Sequence, residues 1–134
     1  MKLEDQVTNL ELSKKLKELG VKQESLWYWN SKDKEVYYRC DFVVFSPTQQ
    51  TTLKKSKFGD EPFEEWFSAF TVAELGEMLP KGFATHVMLN GIHKEKWRCL
   101  SNLELSEKCP ELIADTEANA RAKTLIYLIE NKLI

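Results

Sequence analysis

Two histidines and three cysteines are the residues of this chain best suited to nucleophilic or metal chemistry. They are His86, His93, Cys40, Cys99 and Cys109. Structural zinc sites pair their ligands roughly two to five residues apart, and these residues show no such spacing. They form no C-x-x-C pair, and an odd number of scattered cysteines is a poor disulfide framework. We therefore predict no metal and no cofactor, and we expect a reducing, cytoplasmic setting.

The chain carries no sequence motif of a known catalytic centre. Its five glycines are isolated, and it has no G-x-S-x-G elbow, no H-E-x-x-H pair and no Walker sequence. A small enzyme of unassigned reaction stays open as a second alternative, because the members of a catalytic triad need not be adjacent in sequence. A deep pocket holding His86 or His93 beside a carboxylate or Cys99 would favour that alternative.

Aromatic residues are concentrated in one segment, because seven of the fifteen lie within residues 27–45. On a β-hairpin, alternate side chains point to opposite faces of the sheet. One set is then expected to fill the core and the other to face outward. The expected inward set is Tyr28, Tyr38 and Phe42. The expected outward set is Trp27, Trp29, Tyr37 and Arg39.

This outward set predicts a contact surface. Tryptophan, tyrosine and arginine are the typical anchors of protein interfaces. We therefore predict a non-enzymatic accessory or interaction module whose partner is another protein. Three other interpretations stay open: the same face could stack nucleic-acid bases, the C-terminal half of the chain could fold over it, or the aromatic pairs could merely stiffen the hairpin.

The charge balance decides between partner classes. Lys and Arg number 19 and Asp and Glu number 21, so the formal net charge is −2. Nucleic acid and anionic membranes are attracted by a concentrated positive field, which the lysines at 14–17 and 54–57 do not receive from the rest of the chain. Nucleic-acid binding is therefore the alternative to protein binding. No apolar run approaches the roughly 20 residues of a membrane span, and the first residues lack a signal-peptide layout, so we expect no membrane association.

Three amphipathic segments predict three helices. Two of them begin with the capping-box sequence, Thr8–Glu11 and Thr71–Glu74, in which the first and fourth side chains each accept a hydrogen bond from a backbone N–H. The helices are expected over residues 9–19, 71–79 and 116–132. Gly76 lies inside the second helix and costs about 1 kcal/mol relative to alanine. We therefore expect another backbone to lie close to it.

Between these helices, apolar residues alternate with a period of two. This pattern predicts four strands in two hairpins, 26–29 with 36–44 and 83–89 with 96–100. The expected fold is α+β, a mostly antiparallel sheet of about four strands packed against three helices in the order α-β-β-α-β-β-α. A chain of 134 residues with 43 % hydrophobic residues is expected to form one domain. The polar stretch 46–62 is expected to be a mobile surface loop.

Three segments of the sequence resemble segments of other proteins. They are Leu16–Ser25, Ala69–Pro80 and Thr116–Lys123. They look like segments of a group of small uncharacterised proteins encoded in bacterial, phage and prophage genomes. The resemblance implies a bacterial or phage origin and a cytoplasmic setting. It is confined to the predicted helices and offers no catalytic motif to transfer.

Overall fold

The computed structural model describes residues 2–32, 34–38, 66–88, 96–101 and 107–134. Several predictions therefore lie outside the described residues: those for Arg39, Cys40, Phe42, His93, the strand after residue 38 and the loop 46–62. The described helices are a short 3-10 helix, Leu3–Asp5, and three α-helices: α1 Leu10–Glu18, α2 Val72–Met78 and α3 Glu117–Glu130. The described strands are β1 Trp27–Asn30, β2 Glu35–Tyr38, β3 Trp66–Ala69, β4 Ala84–Met88, β5 Lys96–Leu100 and β6 Leu112–Ala114.

The α+β class is confirmed, but the strands form two sheets instead of one. Within the described ranges, sheet 1 has the order β2-β1-β3, sheet 2 has the order β4-β5-β6, and every pairing is antiparallel. The predicted count of four strands missed β3 and β6, so the α-β-β-α-β-β-α order gains a third strand in each half. These two strands have four and three residues, which is too short for alternation to stand out.

The capping box that begins α2 forms as predicted. The Thr71 hydroxyl accepts from the Glu74 backbone N–H at 3.2 Å, and the Glu74 carboxylate accepts from the Thr71 N–H at 2.9 Å. Leu75, one turn into the helix, is fully buried. The cap therefore fixes where α2 starts and presents its apolar side to the core.

The predicted capping box at the start of α1 is wrong. The N-cap is Asn9, whose side-chain oxygen accepts from the Leu12 N–H at 2.8 Å. Thr8 is fully buried, and its hydroxyl lies 2.7 Å from the Ser13 hydroxyl and accepts from the Phe70 N–H at 3.1 Å. Because the Thr8 oxygen is engaged with the end of β3, the neighbouring asparagine, an equally good capping residue, takes the cap position.

The larger core cluster joins the three α-helices to sheet 2. Helix α3 contacts α1, α2 and all three strands of sheet 2. The fully buried apolar side chains at its centre are Leu16, Phe70, Leu75 and Leu128. None of the helices in the described ranges combines the length and apolarity needed to cross a lipid bilayer.

Within the described ranges, Gly76 is close to a side chain and not, as expected, to another backbone. A Cβ placed on Gly76 would lie 2.5 Å from Nη1 of Arg121 in α3. The same guanidinium donates through Nη2 to the Thr85 hydroxyl at 3.2 Å and to the Glu117 carboxylate at 3.3 Å. Glycine in α2 therefore leaves room for an arginine that links α3 to sheet 2.

This arrangement predicts non-additive effects on stability. Gly76→Ala gains about 1 kcal/mol of helix propensity but displaces the Arg121 guanidinium, so alone it should change the free energy of unfolding by less than about 1 kcal/mol. In an Arg121→Met background the same change should stabilise the protein by about 1 kcal/mol. Urea denaturation of the four proteins in the cycle should show a coupling above about 0.5 kcal/mol. Strict additivity would contradict the contact.

Candidate functional site

The residues predicted to form one contact surface lie in different environments. Trp29 is 8 % exposed, and its indole N–H donates to the Thr8 carbonyl at 2.6 Å. Trp27 and Tyr37 are half-buried, and Arg39 lies outside the described residues. The expectation that Trp29 faces water is therefore wrong.

Trp29 is buried because the N-terminal segment covers its face of sheet 1. Val7 is fully buried against Trp29 and Ala69, with Leu3 and Leu10 packed around them. An isolated bridge between Val7 and Thr71 attaches this segment to the rest of the chain. Alternation within a strand assigns residues to faces but does not reveal that a distant segment covers the face predicted to meet solvent.

Strand register also separates the predicted contact residues. Trp27 lies opposite Tyr38 and Tyr28 lies opposite Tyr37, so Tyr37 is on the other face of sheet 1 from Trp27. The rings of Trp27 and Tyr38 are 5.0 Å apart. Tyr28 is buried as expected, whereas Tyr38 is 41 % exposed instead of filling the core. Tyr37 packs edge-on against Trp66 at a ring distance of 5.4 Å.

A cleft of about 930 Å³ lies between the two sheets. Its walls come from the N-terminal segment, β1, the first turn of α2, strands β4 and β5, and the start of α3. The apolar residues that line it in the described ranges are Leu3, Val7, Trp27, Val72, Ala73, Val87 and Trp97. Of the predicted contact residues that the structure describes, Trp27 lines this cleft, whereas Trp29 and Tyr37 do not.

Sheet 2 exposes apolar side chains to the cleft because α3 begins too late to cover them. Val87 and Trp97 are register partners on the face that carries Thr85 and Cys99 further along. The first residue of α3, Glu117, already hydrogen-bonds the Thr85 hydroxyl, and Cys99 is 1 % exposed. Val87, beyond the start of the helix, is 40 % exposed. The end of this sheet face therefore forms the cleft floor.

Among the described residues, the cleft is also lined by three carboxylates and one ammonium. These groups belong to Asp5, Asp115, Glu117 and Lys96. Lys96 donates to the Asp115 carboxylate, and this hydrogen bond together with the lysine charge holds the pKa of Asp115 below its usual range. Glu117 pairs with Arg121. Asp5 is exposed and makes no ion pair with any residue in the described ranges.

The other candidates for chemistry lie elsewhere. His86 is exposed on the face of sheet 2 opposite Val87, and Cys99 is buried beneath α3. Neither residue lines the cleft, and His93 lies outside the described residues. No group of three or more His, Cys, Asp or Glu residues in the described part of the chain is arranged to hold a metal ion.

Cys99 and Cys109 should be unreactive in the folded protein. Both are free, buried thiols, and burial raises the pKa of each above its usual value. Since the thiolate is the reactive form, we expect alkylation of both by N-ethylmaleimide at neutral pH only after unfolding in urea. Mass spectrometry of tryptic peptides distinguishes the two sites. Alkylation of Cys99 at equal rates in native and unfolded protein would contradict its burial.

Trp97 and Val87 were missed as site residues, although both lie in the predicted second hairpin. A tryptophan in a strand whose other members are Lys96, Arg98, Cys99 and Leu100 is the signal that could have drawn attention to Trp97. That signal does not reveal where α3 starts relative to the strand, which is what leaves Trp97 accessible. Local sequence patterns therefore could not predict this site.

The cleft has the size and composition of a binding site. Ligand sites commonly measure about 300–1,000 Å³ and combine apolar walls with a few placed polar groups. Here two tryptophans are among the apolar lining residues, and four charged residues share the lining with them in the described ranges. No protein-family model, no curated protein and no solved structure matches the chain.

Proposed function

We propose that the protein is a non-enzymatic interaction module that binds an extended segment of another protein in the cleft between its two sheets. The observation that carries the proposal is the pairing of Trp27 from sheet 1 with Trp97 from sheet 2 in one cleft of about 930 Å³. Tryptophans dominate the binding energy of many protein interfaces when they lie in a pocket that excludes water. This revises the predicted surface, which keeps Trp27 and loses Trp29.

An extended segment suits the shape of the cleft. Its volume is near the upper end of the range for small-molecule sites, and six separate parts of the described chain contribute its walls. The cleft is partly open to solvent, so a chain can enter without a large rearrangement. Apolar side chains of the bound segment would contact Val72 and Val87 between the two tryptophans.

The charges of the cleft favour a protein partner over nucleic acid. A phosphate backbone placed along these walls would meet three carboxylates and a single ammonium that is already bound to Asp115. Binding to nucleic acid depends on clustered positive charge, and the described lining residues of the cleft provide no such cluster. The base-stacking alternative is therefore not the function that this geometry supports best.

We further propose a cytoplasmic setting and an accessory role of the phage or prophage type. The setting is supported by Cys99 and Cys109, which are buried as free thiols suited to a reducing compartment. The phage or prophage origin depends only on the resemblance of the three helical segments to bacterial, phage and prophage proteins. The genes that flank this one in its native genome would test it, since replication or head-assembly neighbours support the origin and housekeeping neighbours contradict it.

Selection from a random linear peptide library displayed on phage tests the proposed function. Peptides enriched on the wild-type protein should bind a Trp27→Leu/Trp97→Leu double variant at least about tenfold more weakly, because leucine retains apolar packing but removes both indoles. Ile113→Ala is the matched control, since Ile113 is an exposed apolar residue on the opposite face of sheet 2.

Two results would overturn the proposal. The first is a set of peptides that bind the wild type and the double variant equally. The second is an absence of enriched peptides together with salt-sensitive binding of a fluorescent single-stranded oligonucleotide, which would favour the nucleic-acid alternative. Circular dichroism melting of each variant establishes that any loss of binding occurs in folded protein.

A further inference from the structure

We propose, on the basis of the proposed function, that the segment bound in the cleft carries a lysine or arginine whose cationic group lies between the tryptophan faces and the Asp5 carboxylate. The proposal specifies the chemistry of the partner: apolar side chains flanking a basic one. It depends on the charges that line the cleft and on how the fold already uses each of them.

Among the described residues that line the cleft, one charge has no counter-charge within the described ranges. Asp115 is bound by Lys96, and Glu117 is bound by Arg121. Asp5, in the 3-10 helix that forms one wall, is exposed and has no ion-pair partner in the described part of the chain. The cleft therefore presents one uncompensated negative charge to an incoming segment, and a cation complements it.

The tryptophans favour the same kind of group. Tryptophan has the strongest attraction of the aromatic side chains for a cation over its ring face, and the aliphatic stems of lysine and arginine pack on apolar walls. The protein itself contains this interaction elsewhere, because the Lys17 ammonium lies 4.8 Å from the Phe67 ring centroid. A basic side chain would thus satisfy both Asp5 and the indoles of Trp27 and Trp97.

The start of α3, which also lies at the cleft, does not reverse this preference. Helix N-termini attract anions, but here the protein's own groups occupy the position. The Thr116 hydroxyl accepts from the Asn119 N–H at 3.2 Å, and Glu117 places its carboxylate in the first turn. An acidic ligand would therefore compete with groups that are already in place and would also approach Asp5.

Matched peptides test this inference. A library-selected peptide is synthesised with its arginine, and again with neutral citrulline of nearly the same shape. By calorimetry, citrulline should weaken binding to the wild type about tenfold or more, and this difference should shrink by at least about threefold in Asp5→Asn. Glu130→Gln is the control, because Glu130 is an exposed carboxylate at the far end of α3 that does not line the cleft.

The possible failures are distinguishable. Equal binding of the arginine and citrulline peptides, or selected peptides without lysine and arginine, would overturn the inference. If those peptides still bind the Trp27→Leu/Trp97→Leu variant more weakly than the wild type, the proposed function stands and only the inference about a basic side chain fails. If Asp5→Asn and Glu130→Gln reduce the affinity difference between the arginine and citrulline peptides equally, the difference reflects the overall charge of the protein. That result would also overturn the inference. Peptides that bind the wild type and the Trp27→Leu/Trp97→Leu variant equally would overturn both proposals.

Discussion

Replacing Trp29 with alanine should lower the free energy of unfolding by about 3–5 kcal/mol, the usual cost of removing a large buried aromatic side chain. The change empties the space between Val7 and Ala69 and also leaves the Thr8 carbonyl without its 2.6 Å indole donor. Since small proteins are stable by only about 5–15 kcal/mol, much of the chain's stability is at risk. Urea denaturation followed by tryptophan fluorescence and circular dichroism measures the loss.

Trp27→Ala is the matched control for this prediction. Trp27 is two residues away in the same strand and on the same face, but it is half-buried and lines the cleft. Its replacement should cost clearly less, and the protein should still unfold cooperatively. Equal urea midpoints for the two variants would contradict the assignment of Trp29 to the core and Trp27 to the cleft.

Ala73→Trp should abolish binding of the cleft ligand without loss of fold. Ala73 is exposed in the first turn of α2 and lines the cleft, so an indole at this position would occupy the space meant for the ligand. We expect selected peptides to bind about a hundredfold more weakly, which corresponds to about 2.7 kcal/mol. The thermal midpoint should change by no more than about 2 °C, because exposed substitutions away from packed features usually have small effects.

A second tryptophan substitution on the same helix controls for the added bulk. Glu77 is exposed one turn after Ala73 and does not line the cleft, so Glu77→Trp should bind peptide as the wild type does. Wild-type affinity in Ala73→Trp would exclude the cleft as the binding site. An equal loss in both variants would point to a general effect of the added indole.

Local sequence patterns were sufficient to predict the helices. The apolar stripe of Leu12, Leu16 and Leu19 predicted a helix over 9–19, and the structure has α1 at Leu10–Glu18. The third helix was predicted over 116–132, and the structure has α3 at Glu117–Glu130 with Thr116 as its N-cap. Helical hydrogen bonds and caps join residues close in the chain, so their signals are contained in short windows of sequence.

The two capping-box sequences show where such local prediction ends. Thr8–Glu11 and Thr71–Glu74 have the same T-x-x-E pattern, but only the second forms a capping box. The difference arises from Phe70, which is 62 positions away in the chain. Its N–H donates a hydrogen bond to the Thr8 hydroxyl. No window around residue 8 contains that information.

The candidate site could be predicted only in part, for the same reason. Trp27 was identified from its residue type and its hairpin, but the cleft around it depends on long-range geometry. The register of β1 with β2 moved Tyr37 to the other face, and the N-terminal segment buried Trp29. Trp97 became part of the site because α3 begins beside Thr85 and leaves the sheet beyond it uncovered.

The most direct test of the cleft uses the indole N–H signals of the protein's four tryptophans. Trp27 and Trp97 line the cleft, whereas Trp29 and Trp66 are 8 % and 1 % exposed and do not. In ¹H–¹⁵N spectra assigned with Trp→Phe variants, titration with a library-selected peptide should shift the signals of Trp27 and Trp97 and leave the other two in place. Binding that leaves Trp27 and Trp97 unchanged would contradict the proposal that the cleft is where this protein holds its partner.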